Sequence, residues 1–186
     1  MRRTLLLKSR SIRRTVTVLA LGGIYLAGSA VAGVPAAHAD AVDLACVGTN
    51  DAEFSPGLTF VPRTVGIEAE GTFTSCVSSD PAVKSGAYTA SGEGAMSCLT
   101  GGHAGDFTIA WNTGEQSTIA FTNAIAVRPG GEVVVVASGR VTAGKFIDDT
   151  YTGTFTLFHL DLFACLRQDG VSVASGPTIL LLTSAV

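Results

Sequence analysis

The sequence predicts an all-β protein: one antiparallel β-sandwich or barrel of about eight strands, held by two disulfides. Three observations lead to this fold class. Apolar and polar residues alternate with a period of two along most of the chain after residue 40, without a convincing helical period. Glycine-rich turn signals separate the alternating runs, and the chain has 22 glycines. The four cysteines all lie after residue 40, at Cys46, Cys76, Cys98 and Cys165.

Eight stretches of the chain have the composition and the alternation of β-strands. In the second stretch, Val65, Ile67 and Ala69 share one parity, which is typical of a half-buried strand. The four valines at 133–136 leave no polar face, so they predict a central strand buried on both sides. The predicted strands cover 43–54, 65–77, 85–97, 106–112, 116–126, 131–144, 149–164 and 171–183.

Turn signals join several of these strands into hairpins. The segments NTGEQ at 112–116 and RPGGE at 128–132 lie between β-rich runs at hairpin spacing. A looser hairpin is predicted at GKFIDDT, residues 144–150. The final TILLLTSAV is too short to span a membrane, so we expect it to be a closing strand.

The first 39 residues have the layout of a secretory signal peptide. A basic start is followed by an uncharged run from Thr15 to Ala37, and small residues occupy the −3 and −1 positions of a cut before Asp40. A membrane anchor is the alternative, but the second half of the run is glycine-rich and interrupted by proline. We expect residues 1–39 to be removed and residues 40–186 to form one secreted domain without a membrane segment.

The expected mature domain is strongly acidic. Six of the 12 basic residues precede residue 40, whereas all 15 acidic residues follow Ala39, so six positive charges face 15 negative charges and the formal charge is −9. Such a domain is a poor ligand for nucleic acid or for anionic membranes. We therefore expect neither as a partner.

Four cysteines in a secreted domain predict two disulfides. The chain has no CxxC pair, which argues against a zinc site. The cysteine count leaves three connectivities open, and we expect Cys46–Cys76 with Cys98–Cys165.

The titratable residues form no recognisable active site. His159 and Asp161 are two positions apart on a predicted strand, where a carboxylate can orient a general base, but a solvated strand face has the same pattern. No G-x-S-x-G motif or assignable serine accompanies them. His103 lies in TGGHAGD, which predicts a flexible loop with an exposed histidine. Trp111 continues a parity stripe that is typical of a core. We expect no catalytic residues, no metal and no cofactor.

Four segments resemble a family of small secreted actinobacterial proteins. They are ACVGTNDAEFSPGLTFVPR (45–63), CVSSDPAVKSG (76–86), GRVTAGKFIDDTYTGTFTL (139–157) and ACLRQDGVSVASGPTILLL (164–182). The group of known role that the chain most resembles is the adaptor subunit of umbrella toxin particles, which are secreted antibacterial assemblies. The resemblance implies a small β adaptor that links a large ring-repeat toxin subunit to a lectin-like subunit.

The same resemblance gives the segment before Cys46 an expected role. A Cys46–Cys76 bond would hold the first strand, and the preceding residues would project as a short partner-binding arm. Fraying of a chain terminus is the simpler alternative. The arm consists of Asp40, Ala41, Val42, Asp43, Leu44 and Ala45.

Two functions of different classes follow. The first is a non-catalytic adaptor in a complex of secreted proteins. The second is a secreted protease inhibitor, for which CVSSDPAVKSG with Lys84 is the candidate loop. A free-standing β-barrel for a small ligand is a third, weaker alternative.

Overall fold

Eight antiparallel strands form a closed barrel in the computed structural model, which describes residues 41–127, 132–157 and 163–184. Each strand pairs with its neighbours in the chain, and β8 returns to pair with β1. A short 3₁₀ helix, Ala164–Leu166, precedes β8. The strands are β1 (Ala41–Leu58), β2 (Arg63–Ser78), β3 (Gly86–Met96), β4 (Gly101–Trp111), β5 (Gln116–Val127), β6 (Val133–Gly144), β7 (Thr150–Leu157) and β8 (Val171–Ser184).

This architecture confirms the predicted all-β class, and the sheet is a barrel rather than a sandwich. Closure depends on a long ladder between β1 and β8, in which Cys46 lies opposite Leu180 and Ala52 lies opposite Ala174. The closing role predicted for the C-terminal segment is therefore confirmed. Because a closed barrel has no edge strand, it offers no unpaired backbone ladder to another chain.

Because the strands run alternately up and down, successive connections lie at opposite ends of the barrel. The connections 79–85, 112–115 and 145–149 lie at the end where the described chain begins, which we call the entry end. The connections 59–62, 97–100 and 163–170 lie at the opposite end, which we call the loop end. The hairpin turns predicted at 112–116 and 144–150 are confirmed at the entry end.

Two predictions about β4 and β6 are wrong in part. β4 begins at Gly101, five residues before the predicted start, and its extension holds residues expected in a loop. In β6, Val133, Val134 and Val135 are buried, but the side chain of Val136 is 45% exposed. A barrel wall has one inner and one outer face, so β6 is not a central strand covered on both sides.

The interior of the barrel is filled by two clusters of apolar side chains. The cluster towards the entry end includes Leu44, Phe73 and Trp111. The cluster towards the loop end includes Phe54 and Met96. Alternate residues of each strand supply these side chains, as the period of two predicts.

A β-bulge in β2 adjusts which residues enter the core. Val47 pairs with Ser75, whereas Gly48 pairs with Phe73, so Thr74 is an extra residue in the β1–β2 ladder. The bulge lets Phe73 and Cys76 both be buried, although they differ in parity. Both predicted disulfides, Cys46–Cys76 and Cys98–Cys165, are confirmed.

The projecting N-terminal arm is wrong for residues 41–45. These residues are the first part of β1, where Ala45 pairs with Val77 on one side and Leu181 on the other. Leu44 is fully buried, so its side chain fills the barrel rather than a partner's pocket. The segment lies in the wall because β8 supplies the backbone partners that an arm would lack.

Several predictions fall on residues outside the described ranges. They concern the signal peptide with its cut before Asp40, most of RPGGE, the pair His159 and Asp161, and residues 158–162 of the seventh predicted strand. These stay predictions.

Candidate functional site

A small apolar cavity lies inside the barrel, between its two core clusters. Its volume is about 60 Å³, and its walls include Phe54, Ile67 and Val135. Four aromatic rings lie beside it in the barrel interior, and neighbouring ring centroids are 5.0 Å apart for Phe73–Tyr88, 4.6 Å for Tyr88–Phe107 and 5.6 Å for Phe107–Tyr151. The rings occupy the space that a wide ligand would need.

Two of the polar side chains that line the cavity, Asn50 and Ser97, make hydrogen bonds within the protein. The Tyr88 hydroxyl donates to Asn50 Oδ1 at 2.8 Å, and the Ser97 hydroxyl donates to the carbonyl of Thr100 at 2.9 Å. These donors and acceptors already have hydrogen-bond partners within the protein. Pockets for organic ligands commonly measure several hundred Å³. A cavity of about 60 Å³ accommodates roughly two water molecules, so the interior gives no support to the small-ligand alternative.

His103 is not the exposed loop residue that the sequence predicts. It lies in β4 on the wall of the cavity, opposite Gly94 of β3. The rings of His103 and Phe121 pack edge to face, with their centroids 5.8 Å apart. Burial lowers the pKa of His103 to about 4, so the imidazole is neutral at pH 7. In the described ranges, no group of three or more His, Cys, Asp and Glu residues is arranged to hold a metal ion.

The entry end is closed by contacts among its three connections. Lys145 Nζ lies 2.7 Å from Asp80 Oδ2 and 2.8 Å from Glu115 Oε2, and thus joins all three. The ion pairs raise the pKa of Lys145 and lower the pKa values of Asp80 and Glu115. Val83, in the connection 79–85, is fully buried and belongs to the core cluster towards this end.

The candidate inhibitor loop belongs to this closed end. The backbone N–H of Lys84 donates to Asn112 Oδ1 at 2.8 Å, and its carbonyl accepts from the N–H of Cys76 at 2.9 Å. A substrate-like loop presents its main-chain groups to the protease as an added strand. At Lys84 both groups are already bonded within the protein, and this geometry does not resemble a substrate strand.

The loop end has a different character, because its connections are tied together but expose apolar side chains. The Cys98–Cys165 disulfide joins the connection after β3 to the connection before β8. The N–H of Cys98 also donates to the carbonyl of Thr59 at 2.8 Å, which attaches the connection after β1. Three chain segments are thus held beside one another.

Four large apolar side chains lie on these tied segments, each 51 to 80% exposed. We call them the loop-end cluster: Val61, Leu99, Phe163 and Leu166. Leu99 and Leu166 directly follow the two bonded cysteines, so the disulfide brings them to one end of the barrel. None of the four was predicted from the sequence. The available signal was an apolar residue next to each of two cysteines in turn-rich segments.

The disulfide-bonded cysteines predicted as site residues are brought together in two pairs, one at each half of the barrel. Of the predicted partner-binding segment, Val42 has an exposed side chain, Asp43 and Ala45 are half-buried, and Leu44 is buried. Asp40 lies outside the described residues. Among the described residues, no helix is long and apolar enough to cross a membrane.

Comparison of this chain with known protein families, with curated proteins and with solved structures finds no match.

Proposed function

We propose that the protein is a secreted, non-catalytic adaptor that binds other secreted proteins, and that the loop-end cluster is one of its contact surfaces. The observation that carries this proposal is the position of Val61, Leu99, Phe163 and Leu166 on segments joined by Cys98–Cys165. Isolated exposed apolar side chains are common, but a group of them at one end of a domain is typical of an interaction site.

The rigidity of the loop end favours binding. A surface held by a disulfide loses less conformational entropy on association than a flexible loop does. Burying one valine or leucine side chain contributes about 1.5–3 kcal/mol. Four such side chains supply enough apolar surface for the centre of a modest interface, surrounded by polar residues.

The resemblance to umbrella toxin adaptors supplies the proposed partners. They are a large ring-repeat toxin subunit and a lectin-like subunit, both secreted. The two disulfides are compatible with an oxidising, extracellular setting. The inhibitor alternative predicts a different partner, a single protease, and the bonded backbone of Lys84 gives it no support.

The test is an affinity purification in which tagged mature protein, residues 40–186, is the bait. It is recovered from the native culture medium, and the proteins retained with it are identified. The loop-end variant carries Val61→Ser, Leu99→Ser and Leu166→Ser. Ile147→Ser is the matched control, because Ile147 is an exposed apolar residue at the entry end. We expect the wild type and the control to retain a large secreted subunit, and the loop-end variant to bind it at least tenfold more weakly, about 1.4 kcal/mol.

Three outcomes count against the adaptor proposal. They are retention of no secreted subunit, retention of a single protease, and equal binding by the loop-end variant. A screen with peptidase, glycosidase, esterase and nuclease substrates accompanies the purification. Turnover of any of these substrates contradicts the non-catalytic role.

A further inference from the structure

A second apolar surface lies on the outer wall of the barrel, in the half towards the entry end. Val47 of β1 lies directly opposite Ile179 of β8. One row further along, Ala45 lies between Val77 of β2 and Leu181 of β8. We call this surface the sheet face, and it comprises Val42, Ala45, Val47, Val77, Ile179 and Leu181. Val42, Val47, Val77 and Ile179 are 51 to 78% exposed.

The strand next to β8 on its other side does not continue the apolar surface. On the adjacent strand β7, the outward positions are occupied by Thr150, Thr152 and Thr154. Threonine combines high β-propensity with a polar hydroxyl, which suits a wall in contact with water. Closure of the barrel already pairs the backbone of β1 and β8, so the outward valine and isoleucine side chains are not required for a covered edge.

Acidic rows continue the sheet face on the same strands. Asp51 lies directly opposite Glu70, and Glu53 lies directly opposite Glu68. Like charges in directly opposed positions destabilise a ladder. None of these four carboxylates forms an ion pair with another described residue. The wall of β1 and β2 therefore presents apolar side chains beside a block of negative charge that no described residue pairs with.

We infer that the sheet face docks a partner protein whose contact surface sets apolar side chains beside lysines or arginines. This inference rests on the proposed adaptor function and names the chemistry of a second partner. Apolar contact covers the valines and Ile179, and the partner's cations relieve the repulsion between the opposed carboxylates. A second copy of this chain is disfavoured as the occupant, because it brings the same acidic rows and because residues 40–186 carry six basic against 15 acidic residues, a formal charge of −9.

The sheet face is well separated from the loop-end cluster. At roughly 3.3 Å per residue, about 35 Å of strand lies between Val47 and the end of β1 at Leu58. One face lies on the barrel wall and the other lies on the connections at the opposite end. Two partners can therefore bind at once, as an adaptor requires.

The experiment compares binding of each secreted partner, purified from the native culture medium, to immobilised mature protein. The apolar variant carries Val47→Ser and Ile179→Ser, and the neutralised variant carries Glu53→Gln and Glu68→Gln. Val136→Ser is the matched control, because Val136 is exposed on the outer wall at β6. Each dissociation constant is measured at 50 and 300 mM salt, and circular dichroism checks that the variants fold.

We expect one partner to lose at least tenfold in affinity with the apolar variant and at least threefold with the neutralised variant. Its affinity falls with salt, and Val136→Ser and the loop-end variant leave it unchanged. A photo-cross-linking residue at Val77 joins the same partner. Equal effects of Val136→Ser, binding independent of salt, or a cross-linked product of two copies of this chain each overturn the inference.

The two proposals fail in different ways. If loop-end substitutions release a partner while the sheet-face variants bind every partner as the wild type does, the sheet-face inference is wrong and the adaptor proposal stands. If the wild type retains no secreted partner, both are wrong.

Discussion

Cys46 and Cys76 lie directly opposite each other on neighbouring strands and are joined by a disulfide inside the barrel. The bulge at Thr74 produces this arrangement, because without the extra residue the parity of β2 would turn Cys76 outward when Phe73 is inward. The bond therefore links two strands that are already paired. It reinforces the barrel wall near the start of β1 rather than the root of a free arm.

Removing this disulfide should destabilise the protein without opening the barrel. The bond closes a loop of sequence separation 30. In the chain-entropy description, Cys46→Ala with Cys76→Ala lowers the free energy of unfolding by about 3–4 kcal/mol. Urea titration measures the loss, and the unchanged far-ultraviolet circular dichroism of the variant serves as the control for fold. A variant as stable as the wild type would show that the denatured chain gains nothing from the cross-link.

Gly71 should be intolerant of a side chain, whereas Gly66 of the same strand should not. A Cβ at Gly71 would collide with the backbone carbonyl oxygen of Thr49 and would lie 2.6 Å from Tyr88 Cζ, while a Cβ at Gly66 has its nearest neighbour, Ser55 O, at 3.5 Å. Overpacking of a core costs about 1–3 kcal/mol. We expect Gly71→Ala to lower the free energy of unfolding by that amount and Gly66→Ala to change it by less than about 0.5 kcal/mol. Equal midpoints in urea for the two variants would contradict the packing argument.

Asp149 should destabilise the protein at neutral pH. Burial, followed by the neighbouring carboxylates of Asp43 and Asp148, raises its pKa to about 6. Since the native state holds a proton that the unfolded chain releases, stability falls as the pH rises from about 4 to about 6, and then levels off. Asp149→Asn should raise the free energy of unfolding at pH 7 by about 1–3 kcal/mol and have a much smaller effect at pH 4.

Asp148→Asn is the matched control, because Asp148 is the exposed neighbour in the same turn. Because Asp148 is the smallest of the named causes of the raised pKa of Asp149, its substitution should leave most of the pH dependence of stability in place. Urea titrations between pH 4 and pH 8 measure both profiles. A gain at pH 4 equal to that at pH 7 would contradict the assignment to Asp149.

His103 should act in the opposite direction on acidification. The pKa of His103 is lowered to about 4 in the native barrel. Between pH 6.5 and pH 4 its imidazole is therefore protonated in the unfolded chain but neutral in the native state. Stability is therefore lost as the pH falls through this window. The difference in free energy of unfolding between His103→Gln and the wild type should therefore shift in favour of the variant by about 1–2 kcal/mol from pH 7.5 to pH 4.5. This range includes partial solvent screening. A proton NMR titration checks the cause directly, and an imidazole pKa near 6.5 would refute it.

Cleavage of the signal peptide should leave Asp40 as the first residue of the mature chain. The small residues at the −3 and −1 positions, Ala37 and Ala39, fit the pocket of a signal peptidase. N-terminal sequencing of protein from the culture medium measures the cut, and Ala39→Leu should block it. A mature protein that starts at Met1 or after Cys46 would refute the signal-peptide prediction.

The sequence by itself determined the elements of this fold. Alternation of apolar and polar residues is a property of neighbouring residues, so stretches such as 65–77 and 116–126 predict β2 and β5 to within two residues. The turns at 112–116 and 144–150 were predictable for the same local reason. The count of cysteines and their expected destination indicated two disulfides.

Tertiary structure alone decided which residues these elements bring together. The ladder between Ala41–Leu58 and Val171–Ser184 joins the two ends of the described chain, and no local pattern specifies it. That ladder turns the expected arm into a barrel wall. The same closure carries His103 to a cavity and gathers Leu99 and Leu166 at the loop end through Cys98–Cys165. Local propensity acts over a few residues, whereas these contacts depend on the register of strands far apart in the chain and on the burial that only a closed barrel provides.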